Sequence, residues 1–233
     1  MKLVDVEDLV VRYGSVTALD GVSLSVAAGE MAALVGANGA GKSTLLKALS
    51  GVVRKTHGRI SIHGQLSHVP ESRQLFAELT VEDNLRLGAF RSGARDTSWF
   101  FELLPELERT RKQRAGTLSG GQQQMVAIGR GLMSRPDVLA IDEMSLGLAP
   151  IVVRQLARLL TRLNRQDGLA VLLVEQSAQL AFSLCTRGYV IETGAIVASG
   201  TTVELAQSPM VKDAYLGSAV TDGHVDGVGE ATL

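Results

Sequence analysis

A glycine-rich segment near the start of the chain contains the residue types that bind phosphate. It matches the pattern G-x-x-x-x-G-K-[ST] and reads Gly36-Ala37-Asn38-Gly39-Ala40-Gly41-Lys42-Ser43-Thr44. Glycines let the backbone wrap closely around phosphate oxygens, because they have no Cβ to collide with the ligand, and the positive end of a following helix then faces the anion. We expect Lys42 to reach the β- and γ-phosphates of a nucleotide and the Ser43 hydroxyl to bind Mg²⁺. The other interpretation of these residues alone is a glycine-rich turn with an incidental lysine.

Two adjacent carboxylates, Asp142 and Glu143, follow an apolar run at 138–141 that predicts a buried strand. Open α/β sheets place their ligand sites at the carboxyl ends of strands, which is where this pair would lie. Asp142 would then hold Mg²⁺, directly or through water, and Glu143 would polarise the attacking water in nucleotide hydrolysis. An ordinary acidic strand end is the alternative, and the matched phosphate loop in the same chain argues against it.

A third stretch combines a serine, two glycines and a helical pattern. It reads Leu118-Ser119-Gly120-Gly121-Gln122-Gln123-Gln124. Such a helix start binds anions through its free N–H groups, and one chain does not need two such sites for one triphosphate. Two sites make sense if two subunits pack head to tail, each offering its second site to the nucleotide bound by the other. The residues that we expect to contact the partner's nucleotide are Ser119, Gly120, Gly121 and Gln122.

Hydrophobic patterns predict the elements that would position these three motifs. The apolar run 31–35 indicates a buried strand before the phosphate loop, and 45–51 indicates a helix that ends at a glycine. Further strands are predicted at 3–12, 22–26, 138–141, 170–174, 189–192 and 195–198, with two short ones within 58–69. Further helices are predicted at 81–87, 99–104 and 150–165. Strands that alternate with helices indicate an α/β fold with a mostly parallel sheet, interrupted by a helical lobe.

The composition argues against several classes of protein. The 233 residues carry a net charge of −1, which gives no electrostatic reason for nucleic acid as the main partner. The apolar runs are far shorter than the roughly 20 residues of a membrane-spanning helix, and the first residues do not resemble a signal peptide. The single cysteine, Cys185, excludes an internal disulfide framework and fits a reducing compartment. The four histidines lack the spacing of metal ligands.

Together these motifs resemble the nucleotide-binding subunit of an ATP-binding cassette (ABC) transporter, over about residues 1–217. The resemblance implies a P-loop core like that of RecA-type ATPases, formed by 1–71 and 136–217, with an antiparallel β-subdomain. It also implies a helical lobe at 72–135 that carries the signature. We expect residues 218–233, which are rich in Gly, Asp, Val and Thr without a period, to be a disordered tail.

The resemblance further implies roles for individual residues. Tyr13 is expected to stack on the adenine ring, and residues 36–44 correspond to the Walker A motif. The signature corresponds to 118–123 and the Walker B motif to 138–143. Residues 145–148 correspond to the loop that contacts the opposite subunit. ATP and Mg²⁺ are the ligands that such a subunit implies.

Three stretches narrow the resemblance to one of the two ATPase subunits of branched-chain amino acid importers. They are Ser145-Leu146-Gly147-Leu148-Ala149-Pro150, Val174-Glu175-Gln176 and Ala214-Tyr215-Leu216-Gly217. In those systems two different ATPases pair beneath two transmembrane permease subunits, and an extracytoplasmic binding protein delivers the substrate. The implied location is the cytoplasmic face of the inner membrane, as a peripheral subunit.

Several positions depart from the wider family. Glu71 stands where a glutamine usually senses Mg²⁺ and the membrane subunits, and Gln176 stands where the family has a switch histidine. Met144 replaces the proline that normally follows the catalytic glutamate, and the connection at 64–69 is short. The amide of Gln176 can hydrogen-bond a γ-phosphate, but it cannot carry the charge of a histidine. We expect Glu71 to belong to the metal site and Gln176 to act with Glu143 in catalysis.

Two other functions stay open from the sequence alone. One is a soluble ABC ATPase of DNA repair or translation, although the chain has neither the long coiled-coil insertion of the first nor the second cassette of the other. The other is a hydrolysis-impaired regulatory subunit, which Glu143 argues against and which Glu71, Gln176 and Met144 keep open. The transported substrate is not fixed, because importers of this branch carry leucine, isoleucine and valine while relatives carry urea, amides or aromatic acids.

Overall fold

The computed structural model describes residues 1–90, 93 and 96–216, so the tail predicted at 218–233 lies outside the described residues. The strands of the described chain are β1 (Lys2–Tyr13), β2 (Val16–Ala27), β3 (Met31–Val35), β4 (His57–Ile62), β5 (Leu66–Val69), β6 (Val138–Asp142), β7 (Ala170–Glu175), β8 (Arg187–Glu192) and β9 (Ala195–Thr201). Its helices are α1 (Lys42–Leu49), α2 (Val81–Gly88), α3 (Ser98–Leu103), α4 (Gly120–Met133), α5 (Pro150–Asp167), α6 (Ala178–Leu184), α7 (Thr202–Gln207) and α8 (Pro209–Val211). Short 3₁₀ helices cover Pro105–Thr110 and Ala115–Thr117, and a π-helical turn covers Lys212–Leu216. Within these described ranges no helix is both long enough and apolar enough to cross a membrane.

The larger sheet carries two of the three segments that the sequence marks for chemistry, the phosphate loop and the acidic pair Asp142 and Glu143. Its strand order is β5-β6-β7-β3-β8-β9, and every pair is parallel except β8 with the edge strand β9. Every residue of β3, β6 and β7 is buried, because elements packed on both faces cover the sheet. The carboxyl ends of these three strands meet at one edge, where residues 36–44, 142–143 and 175–176 lie. The predicted, mostly parallel sheet is therefore confirmed.

A smaller antiparallel sheet, in the order β2-β1-β4, packs beside the larger one. Its longest pair joins Lys2–Tyr13 to Val16–Ala27, so the strand predicted at 22–26 is too short. A register shift leaves two residues, Asp20 and Gly21, opposite one residue of β1, and Gly21 has a φ of 67°. This arrangement is a β-bulge. The bulge interrupts the apolar alternation, so the sequence pattern predicts a strand only from residue 22.

Two hydrophobic clusters cover the two faces of the larger sheet. One packs Leu85, Phe100 and Met125, from the helices, against Leu139 and Leu173 of the sheet. The other packs α1 and the smaller sheet against the opposite face. The helices between β5 and β6 thus share a hydrophobic core with the sheet. The division into a core and a lobe at 72–135 stays a prediction.

An ion pair between Glu30 and Arg187 joins the two sheets. Arg187 Nε lies 2.6 Å from Glu30 Oε1, and the same guanidinium donates a 2.7 Å hydrogen bond to the Ser25 carbonyl of β2. Burial opposes ionisation of the Glu30 carboxyl, but hydrogen bonds from Arg187 and the Ala27 N–H, together with the charge of Arg187, lower its pKa below 4.5.

Replacing Glu30 by glutamine should lower the free energy of unfolding by about 1–2 kcal/mol near neutral pH. The pKa of Glu30 is lower in the folded protein than in the unfolded chain. The ionised carboxylate therefore stabilises the fold fully above the unfolded pKa, and this stabilisation is lost as the pH falls through the lower, folded pKa. Urea unfolding of both proteins at neutral pH and near pH 3 measures this difference. Glu7→Gln, which removes an exposed partner of Arg59, is the control. A Glu30→Gln loss of equal size at both pH values would contradict this role.

Candidate functional site

Residues 36–41 connect β3 to α1, whose first turn is 42–44, and they adopt a conformation that requires glycine. Gly41 has a φ of 108°, a left-handed value that glycine adopts without strain. A Cβ on Gly36 would lie 2.4 Å from the Ile191 carbonyl oxygen, and a Cβ on Gly41 would lie 2.9 Å from the Ala18 carbonyl oxygen. In the described chain no side chain caps the start of α1, so its first N–H groups are available to an anion.

Lys42 and Glu143 face each other across this loop. Lys42 Nζ lies 3.2 Å from Glu143 Oε1, and only 4% of the lysine side chain is exposed. The same Nζ donates hydrogen bonds of 2.8 Å to the Gly36 carbonyl and 3.0 Å to the Ala37 carbonyl. Three acceptors therefore hold the ammonium inside the loop, where the oxygens of a nucleotide phosphate can take their place.

Glu143 reaches the loop because the chain turns sharply after β6. Its φ is 48°, in the left-handed region that a non-glycine residue enters at a cost of roughly 1–2 kcal/mol. A 2.8 Å hydrogen bond from the Glu143 N–H to the Val174 carbonyl of β7 holds the turn. Backbone strain that is held in this way by the surrounding structure is common at functional sites.

Asp142, Ser43 and Glu71 form the part of the site that suits a hard cation. The side chain of Asp142 is buried, and its Oδ1 has no hydrogen-bond partner among the described residues. Burial raises the pKa of Asp142, the Ser43 hydroxyl opposes this rise, and the charges of Glu143 and Glu71 add to it. The described residues contain no cluster of three His, Cys, Asp or Glu side chains arranged as metal ligands. This donor set fits Mg²⁺, which uses one or two carboxylates and takes its other ligands from phosphate and water.

A cavity of about 430 Å³ opens over the phosphate loop. Among its lining residues are Lys42, Ser43, Glu71 and Glu143, together with residues 16–18 and 193–194. The last two segments were not predicted as site residues; the second is the turn between the strands predicted at 189–192 and 195–198. The Gly194 N–H donates a 2.9 Å hydrogen bond to the Ala40 carbonyl, which attaches this turn to the loop.

Tyr13, predicted to stack on adenine, is not among the described residues that line this cavity. It lies at the end of β1, 47% exposed, and pairs across the hairpin with Val16. Val16 does line the cavity and is 63% exposed. The contact between Tyr13 and adenine stays a prediction.

The predicted second anion site lies at the start of α4 and does not line the same cavity in the described chain. Ser119 Oγ accepts a 3.3 Å hydrogen bond from the Gln122 N–H, and Gln122 Oε1 accepts a 3.0 Å bond from the Ser119 N–H, which is a capping box. A Cβ on Gly121 would lie 2.9 Å from Val152 Cγ2, so glycine lets α4 pack directly against α5. That residues 119–122 serve the nucleotide of a second subunit stays a prediction.

Two arginines clamp the segment after Glu71 to α4. Arg73 Nε donates a 3.1 Å hydrogen bond to Gln124 Oε1, and Arg130 Nη2 donates a 2.9 Å bond to the Arg73 carbonyl. Arg73 and Gln74 have φ values of 61° and 49°, so this segment is strained as well as clamped. The sequence singled out neither arginine, because only the folded chain brings the two segments together.

A second cavity, of about 520 Å³, brings Gln176 beside Glu143. Its other lining residues include Glu175 and Ser145. Burial raises the pKa of Glu175 to about 7, hydrogen bonds from Ser145 oppose this rise, and the charges of Glu143 and Asp142 add to it. The sequence marked Glu175 only as part of a family resemblance and gave no reason to expect a buried acid here.

Comparison with known proteins places the chain in a family. The model of the ABC transporter family matches residues 19–145. BraG of Pseudomonas aeruginosa, a high-affinity branched-chain amino acid transport ATP-binding protein, is 45% identical over 223 residues, which cover 88% of this chain and 95% of BraG. BraF of the same organism, which carries the same description, is 30% identical over 253 residues, which cover 93% of this chain and 98% of BraF.

The fold is also that of solved cassettes. The ADP conformation of MJ1267, an ATP-binding cassette of an ABC transporter, is similar with a TM-score of 0.81 and 26% identity, covering 94% of this chain and all of that one. The α/β core with an added antiparallel sheet, implied by the resemblance, is therefore confirmed. The chain belongs to the ABC transporter family and is one of its ATP-binding cassettes.

Proposed function

We propose that the chain hydrolyses ATP to energise an importer of branched-chain amino acids or of related amides and acids. The observation that carries this proposal is the convergence of Lys42, Asp142 and Glu143 at one edge of the sheet, with the lysine and the glutamate 3.2 Å apart. The 45% identity to BraG, a protein named for branched-chain amino acid transport, supports the substrate class.

The residues of the site would divide the reaction between them. The N–H groups of the loop and Lys42 would bind the β- and γ-phosphates and stabilise the charge that develops as the bond to the γ-phosphate breaks. Glu143 would accept a proton from the attacking water, and the amide of Gln176, on the same cavity, would hold the γ-phosphate. Ser43 and Asp142, with Glu71 beside them, would hold Mg²⁺, which neutralises phosphate charge when bound.

We further propose that the chain pairs with a second, distinct ATPase subunit beneath two permease subunits, at the cytoplasmic face of the inner membrane. An extracytoplasmic binding protein would deliver the substrate. The separation of residues 119–122 from the cavity over Lys42 supports pairing, and the similarity to both BraG and BraF supports a partner of a different sequence. The two ATP sites would then be unequal, since only one of them would contain Gln176.

Purification of the tagged full chain from detergent-solubilised membranes of its host tests this assembly. We expect mass spectrometry to identify two polytopic membrane proteins and a second cassette, and the purified complex to release phosphate from ATP. Recovery of soluble partners alone, or of this chain as a homodimer, would contradict the importer assembly and the unequal sites with it.

Exposed apolar residues before, on and just after α2 form a surface that we propose for the permease subunits. It consists of Phe76, Leu79, Leu87 and Phe90, exposed by 56%, 37%, 44% and 90%. The buried Asn84 amide binds the Phe76 and Thr80 carbonyls at 3.0 Å each, so the segment before α2 is fixed to the helix. The surface follows Glu71 in the chain, so a partner docked there could influence the metal site through a short segment.

Replacing Leu87 and Phe90 together by serine is expected to reduce recovery of the membrane proteins about tenfold or more, because apolar anchors at the centre of an interface carry much of its binding energy. The same purification, with the membrane proteins quantified against this chain, measures the effect. Val203→Ser, at a valine of α7 that is 66% exposed, is the matched control and should leave recovery unchanged. Equal recovery with the double variant would place the docking surface elsewhere.

A further inference from the structure

Glu175, the last residue of β7, is a buried acid that the proposed reaction does not use. Only 2% of the residue is exposed. Both of its carboxylate oxygens accept hydrogen bonds from one residue: Oε1 from the Ser145 N–H at 3.1 Å and Oε2 from the Ser145 hydroxyl at 2.8 Å. Ser145 lies two positions after Glu143, so the end of β7 holds the chain immediately beyond the proposed catalytic residue.

Packing alone does not explain an acid at this position. A buried carboxylate is unfavourable unless a cation or strong donors compensate it. Among the described residues, Glu143 and Asp142 act on Glu175 with charges of the same sign, which disfavour its ionised form. The hydrogen bonds from Ser145 favour that form. An apolar side chain of similar volume would fill the space at a lower cost, so the two bonds to Ser145 point to a role in the site.

The two residues at the end of β7 hold the chain on both sides of the Glu143 side chain. The Glu143 N–H donates to the Val174 carbonyl at 2.8 Å, and Ser145 is bound by Glu175. Between these anchors Glu143 keeps its left-handed φ of 48°, which an untethered chain would relax. Removing the second anchor would free the backbone that follows Glu143, although the 3.2 Å contact between its carboxylate and Lys42 would remain until phosphate takes that place.

We propose that Glu175 is a positioning residue for ATP hydrolysis, because its bonds to Ser145 fix both the Glu143 carboxylate and the loop at 145–148. This inference rests on the proposed function. Leu146 of that loop is 50% exposed and lines both cavities. The bonds between Glu175 and Ser145 therefore connect the loop at 145–148, which would face a second subunit, to Glu143, which would activate water in the same subunit as Glu175.

The test compares Glu175→Ala, Glu175→Gln and Ser145→Ala in the complex purified through a tag on this chain. In the alanine variant of Glu175 both acceptors are lost, and we expect kcat to fall about 10²-fold, with KM for ATP changed by less than about threefold. In Glu175→Gln the amide oxygen can accept from the Ser145 N–H and the amide nitrogen can donate to the Ser145 hydroxyl. We therefore expect the glutamine variant to restore most of kcat.

Ser145→Ala keeps the N–H bond and should lose less activity than Glu175→Ala. The double alanine variant should be no worse than Glu175→Ala, because the two residues act through one contact. Thr202→Ala is the stability control: it removes a 2.9 Å bond from a buried hydroxyl to the Cys185 carbonyl, and Thr202 lines neither cavity. It should leave kcat unchanged.

Wild-type kcat in Glu175→Ala, or equal losses in Glu175→Gln and Glu175→Ala, would overturn the positioning role. The glutamine and serine variants change the packing little, so they decide the question even if Glu175→Ala does not fold. The wild-type complex and Glu143→Gln separate this inference from the proposed function. If the wild type releases no phosphate, the proposed function is wrong. If the wild type releases phosphate, Glu143→Gln does not, and Glu175→Ala keeps the wild-type kcat, only this inference is wrong.

Discussion

Replacing Glu143 by glutamine is expected to reduce ATP turnover by roughly 10²–10⁴-fold while ATP still binds. The amide has nearly the same size as the carboxylate, but it cannot take a proton from the attacking water. Binding should not weaken, because Glu143 now holds Lys42 at 3.2 Å. Loss of the carboxylate charge leaves that ammonium more available to phosphate and removes a negative charge from the cavity.

Phosphate release by the purified complex measures turnover, and equilibrium binding of a fluorescent ATP analogue measures affinity. Glu106→Gln, at an exposed glutamate of the 3₁₀ helix Pro105–Thr110, is the control for loss of a carboxylate and should turn over ATP normally. Turnover of Glu143→Gln at the wild-type rate would show that another group activates the water. Loss of binding together with turnover would show that Glu143 supports the loop and does not act on water.

Replacing Lys42 by alanine is expected to weaken ATP binding by about 1.5–3 kcal/mol, or roughly tenfold to 150-fold. The ammonium is 4% exposed and held by three oxygens of the loop and of Glu143, so its direction toward bound phosphate is fixed before binding. Its removal also leaves the Glu143 carboxylate without a partner next to the incoming phosphates.

Lys47→Ala is a matched control, because Lys47 is on the same helix α1 and is exposed. It loses the same charge without touching the loop, so only a small change in affinity is expected, and one that added salt removes. Thermal unfolding without nucleotide checks that Lys42→Ala is folded. Unchanged ATP affinity in a folded Lys42→Ala protein would contradict the role of residues 36–44 as a phosphate loop.

The sequence was most informative where chemistry depends on neighbours in the chain. The glycines and lysine of 36–44 lie in one loop, so their spacing alone predicts a phosphate cradle. The predicted strands 31–35, 138–141 and 170–174 are continuous apolar runs, which the buried parallel sheet explains. The start of the helix predicted at 81–87 also has a local signal, because Thr80 is a residue type that caps helices and its Oγ1 accepts a 3.0 Å hydrogen bond from the Asp83 N–H.

Other features depend on residues that are far apart in the chain. Residues 16–18 and 193–194 line the cavity only because two hairpins fold against the phosphate loop, and no local pattern indicates this. Glu175 ends a strand of buried residues, and no neighbouring residue in the sequence indicates what this acid contacts or does. The helix α7 was missed although Thr201 and Glu204 form a capping box that could have revealed it.

The segment that carries Glu71 directly follows β5, and its stability depends on how β5 is connected to β6. In the described chain β5 is an edge strand paired with β6, and the chain between the two carries α2, α3 and α4. Parallel neighbours need a crossover connection, and the helical segment is that connection. Closing so long a connection costs entropy that is recovered only when its helices have packed. The segment that carries Glu71 therefore owes its local stability to distant packing, and a partner that binds the helices could change it without contacting the nucleotide.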